Sequence, residues 1–381
     1  MRAGWAFAAL GAAAAASFGG LGFVIARRLT APSSGRRFDL VVRRVESTAD
    51  REWVVLDRTP QTTSPGKYSL LLEDGLLIRL GNEVEDRGPQ LIAREAVGRN
   101  TLAGVSAGDR ASWSGIYFAD PSDAGLGATD VRVPTAVGPA PAWLVETAGA
   151  ASSTWAIHIH GLGSPRAGTI RGVQVAAELG LTSLVLTYRN DGEGPRVGSG
   201  RSTLGRTETD DVRSAMAYAR EHGAERFILF GWSMGGAIAL QIASDPESRS
   251  DITALVLDSP VVDWVATIRA NCVRSGLPAW AGGLAQPWLD RPALARLVGL
   301  PNAIGLGRFD WVARATEIRV PTLILHGTFD SSSPFDAVAR LRDRRPDLVE
   351  LETFEADHTM NWNSDPDRWR LAVRTWLSPR I

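Results

Sequence analysis

Short apolar runs alternate with helical patterns of apolar positions over residues 154–358. Buried strands are predicted where the runs are unbroken, at residues 154–159, 182–188, 227–230, 255–257 and 320–325. A further strand is predicted from residue 349, where polar and apolar residues alternate. Helices are predicted at residues 168–179, 208–221 and 237–243. This order predicts an α/β fold with a mostly parallel central sheet and helices on both faces.

A serine lies at the junction between one predicted strand and the helix after it. The sequence there is Gly231-Trp232-Ser233-Met234-Gly235, with a glycine two positions before and after the serine. A hydroxyl on so tight a turn requires a strained backbone, and the glycines let strand and helix approach closely. The pattern therefore predicts a nucleophile elbow with Ser233 as the nucleophile.

An acid and a base follow the serine at the ends of later strands. Asp330 lies in the loop after the strand near residue 325, and His358 lies in the loop after the last predicted strand. Asp258 ends another apolar run and is a second candidate for the acid. Histidine is the side chain whose ordinary pKa is closest to neutrality, which suits a base that accepts the proton of a serine.

A glycine-rich turn follows the first of these strands. It reads His160-Gly161-Leu162-Gly163, and a backbone N–H in such a turn could face a developing oxyanion. Four predicted strand ends therefore carry chemistry of one kind, which is acyl transfer to a serine.

Together these motifs resemble the α/β-hydrolase superfamily, specifically its serine esterase, lipase and serine aminopeptidase-like members, over roughly residues 130 to 378. The resemblance implies a triad of Ser233, Asp330 and His358. It also implies oxyanion donors and supporting motif positions, which are the backbone N–H groups of Leu162 and Met234 and the residues His160, Gly161, Gly163, Gly231 and Gly235.

Within this resemblance Asp330 is the preferred acid, because its loop is similar to the family's and lies one strand before the histidine. The family's usual loop has the acid before a Val-Pro pair, whereas here residues 331–333 are serines and Pro334 follows them. Asp258 stays the alternative, since some relatives of this fold place the acid after the earlier strand.

The implied reaction is hydrolysis of an ester, thioester or amide through an acyl-enzyme that water then attacks. A carboxylesterase or lipase-like enzyme is the first expectation, with a serine peptidase of the aminopeptidase type as the alternative. A protein that keeps the fold but only binds a ligand is a third possibility. We expect no cofactor, and no metal, because His158 and His160 have no third ligand at metal-site spacing.

Close to its start the chain has an uncharged, apolar segment. Residues 4–26 carry no charge and, as a helix, would be long enough to span a bilayer, so residues 1–28 are predicted to be a membrane anchor or a cleaved signal segment. The first alternative implies a single-pass, membrane-anchored protein, and the second a secreted one. The charges around the segment decide the side of the membrane only weakly.

Residues 38–128 are predicted to form a small β-rich region, with a hairpin that turns at Asp74-Gly75. Residues 130–381 are expected to be the catalytic domain, with a helical cap inserted after the sixth strand at about residues 261–314. The aromatic residues of this insertion suggest an apolar substrate pocket or the core of the cap itself, and they are Trp264, Trp280, Trp288 and Trp311.

Composition excludes little but is consistent with this interpretation. The 381 residues carry a net charge of −1, which gives no electrostatic case for a nucleic-acid partner. A single cysteine, Cys272, excludes an intrachain disulfide. The expected partners are therefore a small ester or peptide substrate and, through the N-terminal segment, a membrane.

Overall fold

The computed structural model of the protein describes residues 17–33, 35–98, 101–147 and 153–381. Within these ranges the strands form two sheets, a small sheet of seven strands and a large sheet of eight. The large sheet confirms the predicted α/β class, and the small sheet corresponds to the predicted β-rich region.

Helix α1 covers residues 17–29, the second half of the segment predicted to anchor the chain. The prediction of a single-pass membrane anchor is wrong, since no helix within the described ranges is long and apolar enough to cross a membrane. The apolar residues of α1 have a different role: Ala26 is fully buried in the large core, and Phe23 packs beside it. The first half of the predicted anchor and signal segment, residues 1–16, lies outside the described residues.

The small sheet is antiparallel throughout its described pairings, with strand order β1-β7-β4-β5-β6-β3-β2. The predicted hairpin joins β4 to β5 and turns at Gly75, whose φ of +95° favours glycine. The strands are β1 (Leu40–Val41), β2 (Arg44–Ser47), β3 (Glu52–Asp57), β4 (Tyr68–Leu72), β5 (Leu77–Asp86), β6 (Leu91–Ala96) and β7 (Arg110–Ser114).

The large sheet has strand order β15-β14-β13-β12-β10-β11-β9-β8. Strands β10 to β15 pair in parallel, while β8 and β9 are antiparallel additions at one edge. The central strands are buried along almost their whole length, which is why they appear in the sequence as apolar runs. The strands are β8 (Thr129–Val133), β9 (Ala140–Val145), β10 (Thr154–Ile159), β11 (Thr182–Leu186), β12 (Arg226–Trp232), β13 (Ile252–Asp258), β14 (Thr322–Gly327) and β15 (Val349–Phe354).

Helices cover both faces of the large sheet and create two apolar cores. Residues of α3, α4 and α9 belong to one core, and residues of α2 and α11 belong to the other. The helices after α1 are α2 (Ile170–Glu178), α3 (Glu208–Glu221), α4 (Met234–Ser244), α5 (Pro246–Arg249), α6 (Trp264–Arg274), α7 (Gln286–Asp290), α8 (Pro292–Val298), α9 (Phe335–Arg344), α10 (Asn361–Ser364) and α11 (Pro366–Leu377).

The segment between β13 and β14 is helical, as the sequence suggests, and contains α6, α7 and α8. Helix α1 packs on this segment. Phe23 lies 5.0 Å from Trp288 between ring centroids, and Phe18 lies 5.8 Å from Trp280. The tryptophans at 280 and 288 therefore contact the N-terminal helix.

One asparagine joins the two sheets. Asn363, in α10, is fully buried, and its Nδ2 donates to the carbonyl oxygens of Lys67 (2.6 Å) and Gly115 (3.0 Å) of the small-sheet region. The backbone carbonyl oxygen of Asn363 accepts from the N–H of Lys67 at 2.8 Å. Gly66 lies so close that an added Cβ would be 2.2 Å from the same oxygen. The small sheet is therefore fixed against the segment that follows His358.

Candidate active site

Ser233 occupies the turn between β12 and α4. Its backbone has φ 52° and ψ −113°, a strained conformation for a residue with a side chain. The two glycines permit this turn, because a Cβ at Gly231 would lie 2.6 Å from the carbonyl oxygen of Gly235. A Cβ at Gly235 would lie 2.1 Å from the carbonyl oxygen of Ile159 in the neighbouring strand. The turn thus holds the serine hydroxyl at the carboxyl end of the sheet.

The structure brings the three predicted triad side chains together in one chain of hydrogen bonds. His358 Nε2 lies 2.9 Å from Ser233 Oγ. On the other side of the ring, His358 Nδ1 lies 2.8 Å from Asp330 Oδ2 and 3.0 Å from Oδ1. This geometry is that of a nucleophile, a base and a group that orients the base.

The serines that distinguish the acid loop hold the carboxylate of Asp330. The backbone N–H groups of Ser332 and Ser333 donate to Asp330 Oδ1 at 2.9 and 2.7 Å. Ser333 Oγ donates to the carbonyl oxygen of Pro260 at 2.7 Å, which ties the loop to the segment that follows β13. The departure from the usual loop sequence therefore still gives a fixed carboxylate.

The surroundings of Asp330 favour its ionised form. Burial by itself would raise the pKa of this carboxyl, but the hydrogen bond and charge of His358, with the nearby His326, lower the pKa below its ordinary value. His326 is fully buried, and its Nε2 lies 2.9 Å from the carbonyl oxygen of Ser333. Burial lowers the pKa of His326, so its neutral form is favoured.

The alternative acid, Asp258, has other partners. Its Oδ1 accepts from Asn361 Nδ2 and its Oδ2 accepts from Trp369 Nε1, both at 2.9 Å. The carboxyl is 1% exposed, and burial raises its pKa. Both oxygens are thus used to hold the segment after His358, whereas Asp330 contacts the histidine ring itself.

The two predicted oxyanion positions flank Ser233. Met234 is the first residue of α4, so its N–H is among the helix N-terminal groups without an intrahelical acceptor. Leu162 lies in the turn after β10, and the adjacent Gly161 approaches so closely that a Cβ there would be 3.2 Å from Ser233 Cβ. Two backbone segments therefore meet at the serine.

Two residues that the motifs do not include hold this turn in place. Tyr188 is fully buried, and its hydroxyl donates to the carbonyl oxygens of His160 (2.9 Å) and Gly161 (3.1 Å). Asp191 Oδ2 accepts from the N–H of Gly163 at 2.7 Å. Burial raises the pKa of Asp191 to about 6. Both residues follow β11. Tyr188 ends the strand predicted at 182–188 and Asp191 lies just beyond it, and this position is the one sequence signal that could have identified them.

His158 and His160, the two histidines considered as metal ligands, form separate contacts. His158 Nε2 lies 3.1 Å from Ser183 Oγ, whereas the ring of His160 stacks on Tyr188 and its Nδ1 lies 2.9 Å from the carbonyl oxygen of Gly161. Burial lowers the pKa of His158 to about 3 and that of His160 to about 4. Over the described ranges, no three His, Cys, Asp or Glu side chains are grouped as metal ligands.

A cavity of about 230 Å³ opens beside Ser233. Its walls come from three parts of the chain: Arg36, the end of β7 with the residues after it, and the loops and helix of the large sheet. The described lining residues are Arg36, Trp113, Ser114, Gly115, Ile116, His160, Gly161, Leu162, Ser164, Gly168, Thr169, Arg171, Trp232, Ser233, His358, Thr359 and Met360.

The helical insertion at 261–314 contributes none of these described lining residues. Trp311 is fully buried in the large core, and Trp264 Nε1 donates to the carbonyl oxygen of Leu204 at 3.0 Å. These tryptophans therefore stabilise the insertion and do not form a substrate pocket beside Ser233. The cavity wall that the sequence assigns to the cap comes instead from the end of β7 in the small sheet.

Two family models match the chain. One, described as the alpha/beta hydrolase family, matches residues 148–370. The other, described as a domain of unknown function, matches residues 41–114, which correspond to the small sheet. A comparison with curated proteins finds no match.

Solved structures show the same fold. A structure of an esterase from Pyrococcus furiosus is 20% identical, with a TM-score of 0.53 over 69% of this chain and 96% of the esterase. Another crystal form of that esterase gives 20% identity and a TM-score of 0.51 over 68% of this chain and 93% of the esterase. Since the family model spans more than half of the 381 residues and the fold agrees, the chain belongs to the alpha/beta hydrolase family.

Proposed function

We propose that the protein is a serine hydrolase that cleaves carboxylic esters through a covalent acyl-enzyme on Ser233. One observation carries the proposal: the hydrogen-bonded series from Asp330 through His358 to Ser233 ends at a cavity wall. A serine hydroxyl attacks well only when a base accepts its proton, and His358 Nε2 lies at hydrogen-bond distance from it.

In the first half-reaction Ser233 Oγ attacks the ester carbonyl carbon, and its proton passes to His358 Nε2. The C–O bond to the alcohol breaks, and the alcohol leaves with that proton. Asp330 holds the ring and stabilises the imidazolium that forms. The N–H groups of Met234 and Leu162 are proposed to donate to the tetrahedral oxyanion, each such donor contributing about 3 to 4 kcal/mol in comparable enzymes.

In the second half-reaction water attacks the acyl-enzyme. His358 accepts a proton from the water and returns it to Ser233 Oγ as the acyl–oxygen bond breaks. The products are a carboxylic acid and the free serine, so the enzyme is regenerated without any other reactant.

The cavity favours an ester over an aminopeptidase substrate. An aminopeptidase has to hold a free α-amino group, and a carboxylate is the side chain suited to that cation. Among the described lining residues of the cavity, none is Asp or Glu. Ester hydrolysis is therefore the function that the wall chemistry supports.

Steady-state hydrolysis of 4-nitrophenyl butyrate tests the proposal. We expect turnover by the wild type and a fall in kcat of roughly 10⁴-fold or more in Ser233→Ala and in His358→Ala, since each change removes a member of the triad. Retention of wild-type turnover by Ser233→Ala would contradict the role of this serine. A folded wild type that hydrolyses no activated ester would support a binding function for the fold.

A further inference from the structure

The cavity beside Ser233 is lined by cationic side chains. Arg36 and Arg171 contribute to its wall, and its described lining includes no carboxylate. The whole chain has a net charge of −1, so this excess of positive charge is a local property of the cavity. A wall of this kind attracts an anionic group.

Arg171 is buried and forms no ion pair with any residue that the structure describes. It is 6% exposed, and its Nη1 donates to the neutral carbonyl oxygen of the Asn363 side chain at 2.7 Å. Burial lowers the pKa of Arg171, while the charge of Asp258 opposes that change. Both oxygens of Asp258 nevertheless accept from Asn361 and Trp369. A buried guanidinium without a bonded carboxylate is unfavourable unless an anion compensates it.

Two buried donors at this wall have no acceptor. They are Nε of Arg171 and Nε1 of Trp232, and neither forms a hydrogen bond within the part of the chain that the structure describes. Trp232 is 4% exposed and immediately precedes Ser233. Both residues line the cavity, and buried N–H groups are nearly always bonded, so a bound acceptor is the kind of partner that these two donors lack.

Arg36 is brought to the cavity by the N-terminal strap, which we define as residues 30–33 and 35–36. The strap is fixed at its start, where the N–H of Ser202 donates to the carbonyl oxygen of Thr30 at 3.1 Å. Farther along, Ser33 Oγ lies 3.7 Å from the position of a Cβ at Gly163, in the turn beside the serine. The strap thus crosses the edge of the active site, and Arg36 lies exposed at the rim.

We propose that the ester substrate carries a carboxylate that Arg36 and Arg171 bind, with Arg171 inside the cavity and Arg36 at its rim. This proposal rests on the proposed esterase function. Guanidinium groups suit the role because they bind a carboxylate through two parallel, charge-assisted hydrogen bonds. A volume of about 230 Å³ admits a short diacid chain more readily than a long fatty acyl chain.

Two matched ester pairs test the proposal on the wild-type protein. For a charge on the acyl side, the pair is 4-nitrophenyl hydrogen adipate and methyl 4-nitrophenyl adipate, in which a methyl ester replaces the free carboxylate. For a charge on the alcohol side, the pair is 4-butyryloxybenzoate and its methyl ester. Each rate is corrected for hydrolysis without enzyme. We expect kcat/KM to be at least about tenfold higher for the charged member of one pair, the size of one charge-assisted hydrogen bond.

Variants then locate the preference. Arg36→Gln and Arg171→Met should each lower kcat/KM for the preferred charged ester about fivefold or more beyond any effect on its neutral partner. Arg36→Lys, which keeps the positive charge, should retain part of the preference for the charged ester. The matched control is Arg37→Gln, which removes the same charge from an exposed neighbour that does not line the cavity. A purely structural role of Arg171 would lower both rates alike, and Arg36→Gln provides an independent test if Arg171→Met fails to fold.

The outcomes separate the two proposals. Equal kcat/KM within both pairs, on an enzyme that hydrolyses the neutral esters, would overturn the anionic substrate and leave the esterase function standing. Loss of the charge preference in Arg37→Gln as well would also overturn the anionic substrate. The preference would then come from the overall positive charge near the site and not from a bound carboxylate. Hydrolysis of neither member of either pair would overturn the esterase function and this inference with it.

Discussion

At the scale of single residues, two aspartates at the carboxyl end of the large sheet have different partners: Asp258 ends β13, and Asp330 lies in the loop after β14. Asp330 contacts the ring of His358, whereas Asp258 is bonded to Asn361 and Trp369. The first contact orients the base, and the second set holds the segment behind it.

Substitution of each aspartate by asparagine should separate these roles. We expect Asp330→Asn to lower kcat by about 10³- to 10⁴-fold, because an amide does not stabilise the imidazolium. Asp258→Asn should keep kcat within about tenfold and lower the free energy of unfolding by about 1 to 3 kcal/mol, as one buried donor loses its acceptor. Ester kinetics and urea unfolding of both variants check this, and the reverse pattern would identify Asp258 as the acid.

Asp191 predicts a pH dependence of stability. Burial raises its pKa to about 6 from the ordinary 3.8, so between these values the folded state binds more protons at this site than the unfolded state. Its contribution therefore destabilises the protein as pH rises from about 4 to about 6, by up to about 3 kcal/mol. Asp191→Asn should remove this part of the dependence while an amide oxygen still accepts from Gly163. Urea unfolding of both proteins at pH 4.5 and 6.5 measures the difference, and identical pH slopes would rule the effect out.

At the scale of elements, local sequence patterns predicted strands of the large sheet. The contacts between segments that are distant in the sequence could not be predicted in this way. The strand before Ser233 is visible in the sequence because both of its faces are buried, so its residues are continuously apolar. The candidate triad residues could be named because each follows a predicted strand within a few positions. The strands before Ser233 and Asp330 are apolar runs, whereas the strand before His358 alternates polar and apolar residues. The role of α1 could not be predicted, because an apolar helix that packs on Trp288 has the same local composition as part of a membrane span.

The docking of α1 yields a matched pair of substitutions in one helix. A Cβ at Gly22 would lie 2.2 Å from the carbonyl oxygen of Leu284, whereas a Cβ at Gly19 would meet no atom of the described residues within 4 Å. Both changes to alanine favour the helix by about 0.5 to 1 kcal/mol. We therefore expect Gly19→Ala to be neutral or stabilising, and Gly22→Ala to displace α1 and expose it to proteolysis. Limited trypsin digestion compares the cleavage rates after Arg27 and Arg28, and equal rates in the two variants would argue against the docking.

At the scale of the whole molecule, the small sheet is part of the active-site wall. Trp113 and the residues after it line the cavity, and the Trp113 ring is held 4.9 Å from that of Tyr68. The sequence indicates a β-rich region but does not show where it lies, because Arg36, Trp113 and Arg171 are brought together only by the assembled fold. The charged character of the cavity therefore could not be predicted from any one motif.

Asn363 is predicted to control how firmly this wall is attached. Asn363→Ala removes two donors to the small-sheet region and the acceptor of Arg171 Nη1, so we expect a loss of about 2 to 4 kcal/mol in the free energy of unfolding. Amide hydrogen exchange should become faster at Lys67 in particular, whose N–H donates to the backbone of Asn363. Asn302→Ala, at an exposed asparagine, is the control. Unchanged exchange at Lys67 in Asn363→Ala would show that the two sheets are held by other contacts.

The most direct test of the central claim is the intact mass of the protein after reaction with a fluorophosphonate, which modifies a serine only when a base activates it. We expect one adduct on the wild type, mapped by peptide analysis to Ser233, and no adduct on Ser233→Ala or His358→Ala. A folded wild type that stays unmodified, or an adduct that persists in Ser233→Ala, would contradict the central claim.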